Sequence, residues 1–286
     1  MAYGGWSLDD HHPDGFYHVG NPNVWGATPS PYGIPYRALY SVNISNLFFA
    51  GRNISVTHAA MSSSRVMATC ALLGEAVGTA ANVAREFSLS PQGVYDEQIG
   101  LLQQRLMEHG CFLPYFHREI AAVCRDAELS CAGGNPKNLE ALRNGIDRNN
   151  HTYGDEDYRV ALPLGQAVTY TFQLPTQLSN IHLQFDTDLN RETLPGDTID
   201  RQRSMRHNRT PDSVKVCMPK TMVKGYRITA VTADGNTVTL VETDLNLLGC
   251  VNHTVTEGLY RSVSFIPMTT WNEADTDVHI FSFDVR

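Results

Sequence analysis

The chain has 286 residues, 42% of them hydrophobic, enough to bury a sizeable core and, by length, to form two domains. Its 22 Lys and Arg against 30 Asp and Glu give a net charge of -8, and no basic run marks a nucleic-acid groove, so nucleic acid is excluded as an expected partner. The six cysteines, Cys70, Cys111, Cys124, Cys131, Cys217 and Cys250, are too scattered for a CxxC metal or cluster motif and too few to staple a chain of this size, so reduced structural thiols are expected.

Met1-Ala-Tyr-Gly-Gly-Trp6 has neither the charged start nor the apolar core of a secretory signal, which leaves the cytoplasm as the default expectation. Residues 1–37 are dense in Gly, Pro, Tyr, Trp and His without a sustained period, and read as a looped segment. Within it, Asp9, Asp10, His11 and His12 form a polar cluster before Pro13, suited to a loop beside a substrate pocket or to a solvated turn. A metal is not expected there, because no second ligand group follows at a matching spacing. Arg37, between Tyr36 and Tyr40, suits either an anionic or polyhydroxy substrate or a stacked structural role.

The apolar run Ile44 to Ala50 ends at Gly51 and predicts a buried strand entering a tight turn. A long helix is predicted from about Ala60 to Phe87, with Thr57 and Ser62 available as caps and small residues Ala68, Ala71, Gly74, Gly78 and Ala81 along it. Val66 to Ala84 approaches membrane-spanning length, but Glu75 and the Ala, Gly and Thr content favour a helix buried in protein, and no membrane partner is expected. Ser90-Pro91 opens a second helical region, with Ile99, Leu102, Leu106, Ile120 and Val123 on its apolar faces, that closes at Cys131-Ala-Gly-Gly-Asn-Pro136.

The pattern changes near Asn144. Alternating segments at Ala167 to Leu174, Ile181 to Phe185, Tyr226 to Thr232, Thr237 to Glu242, Arg261 to Ile266 and Val278 to Val285 predict an antiparallel β-sandwich of about seven or eight strands. Asp234-Gly235 marks a hairpin between two of them. The fold class expected is α+β and multidomain, divided into residues 1–146 and residues 147–286. Asp186, Asp188, Asn190, Glu192 and Asp197 imitate a calcium loop, but Arg191 stands where the turn glycine belongs, so a polar inter-strand loop is expected. Arg201, Arg203, Arg206, His207 and Arg209 form a short basic patch, and Tyr226, Tyr260 and Trp271 are either sugar-stacking or core aromatics.

The stretch Asn46-Leu-Phe-Phe-Ala-Gly-Arg-Asn-Ile-Ser55, followed by Thr57-His-Ala-Ala-Met-Ser-Ser-Ser-Arg-Val-Met-Ala-Thr69 and Gly74-Glu-Ala-Val-Gly-Thr-Ala-Ala81, resembles the second FAD-contacting segment of the FAD-dependent oxidoreductase family. That family shares its flavin fold with HdrA-type subunits of heterodisulfide reductase. Gly5-Trp-Ser-Leu-Asp-Asp-His-His-Pro13 and Ile34-Pro-Tyr-Arg37 are similar to it as well, and the resemblance spans about residues 1–145. It implies a partial, Rossmann-like flavoprotein domain, here its C-terminal portion, that takes FAD through Gly51, Arg52, Asn53, Arg65, Val66 and Met67. Hydride would pass from a small-molecule substrate, a carbohydrate-like one being a candidate, to flavin, with His58, His11 or His12 as base and Arg37 on the substrate. For His58 a backbone-bonded residue at the helix start is the competing reading, and for Arg52 a surface ion pair.

The cysteines lack the close spacing that iron–sulfur clusters of HdrA-type relatives need. No G-x-G-x-x-G opens a βαβ unit anywhere in the chain. A truncation, an internal start or a split gene is therefore expected, with the dinucleotide-binding half as partner in the same or a separate chain, and self-association through the face so exposed. Residues 147–286 weakly resemble discoidin-like or galactose-binding-like sandwiches. The alternative is accordingly a carbohydrate- or partner-binding sandwich protein with an inactive flavoprotein remnant.

Overall fold

A computed structural model describes residues 1–29, 31–134, 136–149, 156–188, 218–272 and 276–286. The chain separates into two compact units, Met1–His117 and Arg118–Arg286. The patterning change expected at 146/147 is thus not where the packing changes: residues 118–146 pack with the sheet.

In the first unit, β1 (Ala2–Gly4) pairs antiparallel with β4 (Tyr32–Ile34), and β2 (Leu8–His11) with β3 (Asn23–Gly26). The strand expected over Ile44 to Ala50 does not form: Val42 and Ile44 are exposed, and a single bridge joins Phe48 to Tyr40. Ser41 Oγ accepts from the Asn43 and Ile44 amides at 3.2 and 3.0 Å, and this local turn competes with strand pairing.

The predicted long helix is two helices, α1 (His58–Ser64) and α2 (Met67–Glu86), because Val66 is extended at φ -71 and ψ 149. Thr57 caps α1 as expected, accepting from Ala60 N at 3.3 Å. Ser62 does not cap; Ser62 and Ser64 turn their hydroxyls back to the Ala59 and Ala60 carbonyls, which weakens helix continuation at that point. Helix α2 is long and apolar enough to cross a membrane by length and composition. Its Leu73, Ala76, Ala80 and Val83, spaced three and four apart, are fully buried in this unit's core. Ser90 caps α3 (Pro91–Glu97), with Pro91 in the first turn, and α4 (Ile99–Glu108) buries Leu102 and Leu106.

The second unit begins with α5 (Ala122–Asp126) and β5 (Glu128–Cys131), so the helical region does not run to Cys131 as expected; Cys131 pairs with Val168. Then follow β6 (Val160–Pro163), β7 (Val168–Phe185), β8 (Val223–Thr232), β9 (Thr237–Thr243), β10 (Cys250–Thr270) and β11 (Asp277–Val285). The antiparallel order is β6-β11-β7-β10-β8-β9, with β5 also on β7. The long strands β7 and β10 change register between Thr254 and Gly258 and between Tyr260 and Ser262, and these bulges let one ladder bend into the two faces of a sandwich. The Asp234-Gly235 turn joins β8 to β9 as expected, with Gly235 at φ +87, where an L side chain is strained.

Inside lies an apolar core with Tyr170, Leu183, Phe185, Tyr226, Phe265 and Phe283. Tyr226 and Tyr260 are buried core residues; Trp271 is half-buried and donates Nε1–H to the Asn246 carbonyl at 3.0 Å. On its outer face β7 presents His182 and Gln184, opposite Asp284 and Ser282 of β11. All four are buried. Arg118 covers them: its guanidinium lies 2.6 Å from Asp284 Oδ2, 3.0 Å from Asp147 Oδ2, and bonds Ser282. The Asp284 contact is close but not aligned as a hydrogen bond, so its attraction is mainly Coulombic. Burial works against the Arg118 charge, yet Asp147 and Asp284 together hold it more firmly protonated than usual.

Arg118→Ala leaves the buried Asp284 with only the more distant Arg286, at 3.8 Å, as counter-ion and is expected to destabilise this unit by roughly 3–5 kcal/mol, read from urea unfolding. His182 is held below its ordinary pKa, first by burial and then by Arg118. The unfolded chain therefore binds this proton more readily, so stability falls as pH drops below about 6.5. The Tm loss between pH 7 and 5 should shrink in His182→Gln; an unchanged slope would exclude His182 as its source.

Candidate functional site

In the first unit, α1 packs against β2, and between them opens a cleft of ≈ 320 Å³ lined by Asp9, Asp10, His11, His12, Arg52, His58 and Arg65 among others. Thr57 fixes the start of α1 and so aims His58 at β2. Its Nε2 stands 2.9 Å from both the His11 carbonyl and Asp10 Oδ1, with the single N–H directed at the carbonyl. Arg65, at the end of α1, donates to the Asp9 carbonyl at 3.0 Å and to Asp9 Oδ2 at 3.3 Å, and its Nη2 lies 3.3 Å from His11 Nε2. Asp9 Oδ1 also holds His11 at 3.0 Å. Of the residues singled out from sequence, His11, His12, His58, Arg52 and Arg65 therefore meet in one place.

Gly51, Asn53, Val66, Met67 and Arg37 are not in the lining of this cleft. Gly51 sits beside the start of α2, at φ +93, with Cys70 Sγ 4.0 Å from where a Cβ would be. No side chain caps α2, and Met67 is exposed. An uncapped N-terminus next to a glycine turn fits the electron-rich edge of a flavin. Residues 1–106 contain no G-x-G-x-x-G for the diphosphate, so the fit to FAD is confined to that edge. Arg37 stacks its guanidinium 5.6 Å from the Tyr95 ring centre, and Tyr36 is buried with its hydroxyl on the Pro91 carbonyl.

The second unit holds a polar pocket of ≈ 220 Å³, lined by Asp147, Arg148, Asn149, Arg159, Gln184, Asp186, Asp188 and Phe281 among others. Gln184 near the end of β7 and Asp186 just past it continue the outward alternation that His182 begins and contribute to the lining. A bulge in β11 between Ile280 and Ser282 brings Phe281 to its wall. Arg159 bridges Asp157 at 2.9 Å and Asp186 at 3.3 Å. Burial would raise the Asp186 carboxyl, but His279, the Asp188 amide and Arg159 outweigh it and hold the group ionised below the ordinary range. Gln184 Oε1 is buried with no hydrogen-bond partner among the described residues.

Sequence reasoning missed Asp147, Asn149, Arg159 and Gln184; the signal was the polar half of Ile-His-Leu-Gln-Phe-Asp186, which reads as an ordinary solvated strand face. Asn190, Glu192, Asp197, the basic patch Arg201 to Arg209, and Cys217 lie outside the described residues. The other five cysteines are free, and among the described residues they form no iron–sulfur ligand set.

Residues 1–106 match the FAD dependent oxidoreductase family. No curated protein matches the chain significantly. Among solved structures, the family 32 carbohydrate-binding module of Streptococcus pneumoniae EndoD is 10% identical, covering 56% of this chain and 94% of its own at a TM-score of 0.38. Chitosan-binding module 1 of a Paenibacillus sp. IK-5 chitosanase/glucanase is 12% identical, covering 57% and 97% at 0.36. The family 32 module of Clostridium perfringens NanJ, solved with galactose, is 11% identical, covering 58% and 97% at 0.36. At this level of likeness the sandwich assignment rests on the strand pairing itself.

These findings correct three expectations. The family match occupies the N-terminal residues 1–106, so the chain is not, as a whole, the C-terminal portion of such an oxidoreductase, nor does the likeness run to residue 145. The reading of the whole chain as an oxidoreductase fragment or subunit falls with it, since the second unit is a separate sandwich. The family's segment is carried by this chain itself, so the match supplies no reason for a separate or missing half as partner, or for self-association through a face that half would leave.

Gly51 tests the local geometry independently of any ligand. A Cβ there meets nothing closer than 3.8 Å, so the cost of Gly51→Ala is backbone strain alone. A loss of about 1–3 kcal/mol is expected in thermal unfolding of the first unit; no loss would mean that the turn relaxes.

Proposed function

We propose that this protein is a binding protein whose second unit recognises a small polyhydroxy ligand of the saccharide class, the first unit being a flavoprotein remnant. The observation that carries this reading is Gln184: a buried acceptor without a partner among the described residues, lining a pocket whose other walls offer carboxylates and a guanidinium. A buried amide oxygen left unpaired costs about 1–3 kcal/mol. A ligand hydroxyl donated to it would recover that cost on binding. Asp186 and Asp147 would accept further hydroxyls, Arg159 would donate, and the Phe281 side chain supplies an apolar wall. A hydroxyl both donates and accepts, which suits a lining of mixed polarity better than a purely anionic or apolar ligand would.

In the first unit, Gly51, Arg52, Asn53, Arg65, Val66 and Met67 are the residues that would touch FAD, which when bound supplies a hydride acceptor. Support for the remnant reading comes from two features. The matched segment has no phosphate-binding glycine fingerprint. The side chains of His11, His58 and Arg65 are bound by Asp9, Asp10 and the β2 backbone, which accounts for them structurally.

Gln184→Leu separates binding from stability. It removes an unpaired buried acceptor, so Tm should hold or rise, while affinity for the saccharide found by glycan-array screening of the full chain should fall at least about tenfold. Unaltered affinity would remove this pocket from the reading, and an array without hits would remove the saccharide class. For the remnant, the chain incubated with excess FAD and desalted should show no visible flavin absorbance. A retained band would overturn that half of the reading.

A further inference from the structure

The loop between β2 and β3 has a feature that neither the saccharide reading nor the flavin likeness uses. His12, Asp14 and His18 each offer one ligand atom, and these atoms lie within 4.8 Å of one another. We propose that this loop is a binding site for a divalent transition-metal ion, held by His12, Asp14 and His18.

The sequence hides the set because His12 and His18 are six positions apart with Pro13 and Gly15 between them. The structure brings them together by a compact turn. The His12 amide donates to the Pro22 carbonyl at 2.8 Å and closes the loop base. Gly15 N–H donates to the His12 carbonyl, Tyr17 N–H to Asp14 and His18 N–H to Gly15, at 2.8, 3.0 and 3.1 Å. Gly15 takes φ +51, which glycine adopts without the steric cost of a side chain. The two imidazoles are stacked, with ring centres 3.7 Å apart and planes at 24°; this keeps their nitrogens close, and one ring must turn out of the stack to aim both in-plane lone pairs at one ion. The Asp14 amide donates to His12 Nδ1 at 3.2 Å and Asp14 Oδ2 lies 3.6 Å from the same nitrogen; because that amide bond occupies the free lone pair of the neutral ring, ligation exchanges it for the ion.

Ligand atoms about 2.0–2.2 Å from a shared ion sit at most about 4.4 Å apart. The present spread, within 4.8 Å, closes to that limit by side-chain rotation, open to the exposed His12 and Asp14 and to the partly exposed His18. Much of the ordering that a flexible peptide would have to undergo on binding is completed when the hairpin forms. Two imidazoles and one carboxylate select zinc, nickel, copper or ferrous ions over calcium and magnesium, which prefer oxygen ligands. Three protein ligands leave further coordination positions open to exchangeable groups. His12 also lines the Asp9 to Arg65 cleft, so the ion would lie beside it.

The test uses the full chain, stripped with chelator and titrated with Zn²⁺ in competition with a chromophoric chelator. One equivalent of bound zinc is expected. The His12→Gln/His18→Gln double variant should lose that equivalent while keeping its far-UV circular dichroism. Asp14→Asn, nearly isosteric, should weaken it at least about tenfold, the smallest loss typical even of outer partners of metal ligands. No tight equivalent in the parent chain, or an equivalent that survives both variants, overturns the proposal. Should the double variant misfold, the affinity of Asp14→Asn decides alone.

Discussion

Arg118 has no exposed side-chain surface, and neither has the Asp284 it faces. Removing both charges from water is expensive, and their attraction offsets that cost only where the geometry is close and other groups share the charge. Here Asp147 and Ser282 complete the shell around the guanidinium. The consequence reaches well beyond one ion pair. Arg118 and Asp147 bracket the segment carrying α5 and β5, while Asp284 and Ser282 stand on β11, so the pair fastens that segment over the outer face of the sheet. A sheet face made of His182, Gln184, Ser282 and Asp284 would otherwise be solvated, and its burial here depends on this cover.

The polar pocket is an extension of the same arrangement. Asp147 serves both the guanidinium and the pocket lining, and Gln184 and Asp186 continue the row that His182 begins. Within this row the groups differ in what the protein supplies to them. His182 has a neighbouring Asn252 and a depressed pKa, Asp186 has three neighbours that keep it ionised, and Gln184 Oε1 has none among the described residues. The unpaired group is the one that a ligand has reason to seek, whereas the paired ones give the pocket its rigidity.

The first unit solves its polar problem differently. Its Asp, His and Arg side chains cluster at the surface between β2 and α1, partly in water, where each pair contributes little to stability. What fixes them is backbone: the Thr57 cap, the break at Val66 and the closed loop after His12. Groups positioned by backbone at low energetic cost can be recruited by ligands, and that distinguishes this cluster from the buried one in the second unit.

Sequence alone determined the antiparallel strands, the Asp234-Gly235 turn, the Thr57 cap, the helix start at Ser90-Pro91 and the apolar positions of α4. Each is set by local periodicity or by a side chain acting on its own backbone, so neighbours in sequence suffice. The small residues singled out along α2, Ala68, Ala71, Gly74, Gly78 and Ala81, lie instead on that helix's exposed side. A family likeness also brought forward His58, His11 and His12 as bases and Arg52 and Arg65 as cofactor contacts, though separately and beside Gly51, Asn53, Val66, Met67 and Arg37, which do not line the cleft where those five meet. Tertiary structure decided the rest. The run before Gly51 is apolar enough for a strand, but Ser41 ties it into a turn. The alternation in Ile-His-Leu-Gln-Phe-Asp186 is the same whether its polar side faces water or protein, and only Arg118, more than sixty residues earlier, settles that it is buried. His18 joins His12 and Asp14 because a loop closes on Pro22, a hydrogen bond that no spacing rule contains. Long-range partners decide such features, since burial and charge pairing depend on which residues meet and not on the order in which they occur.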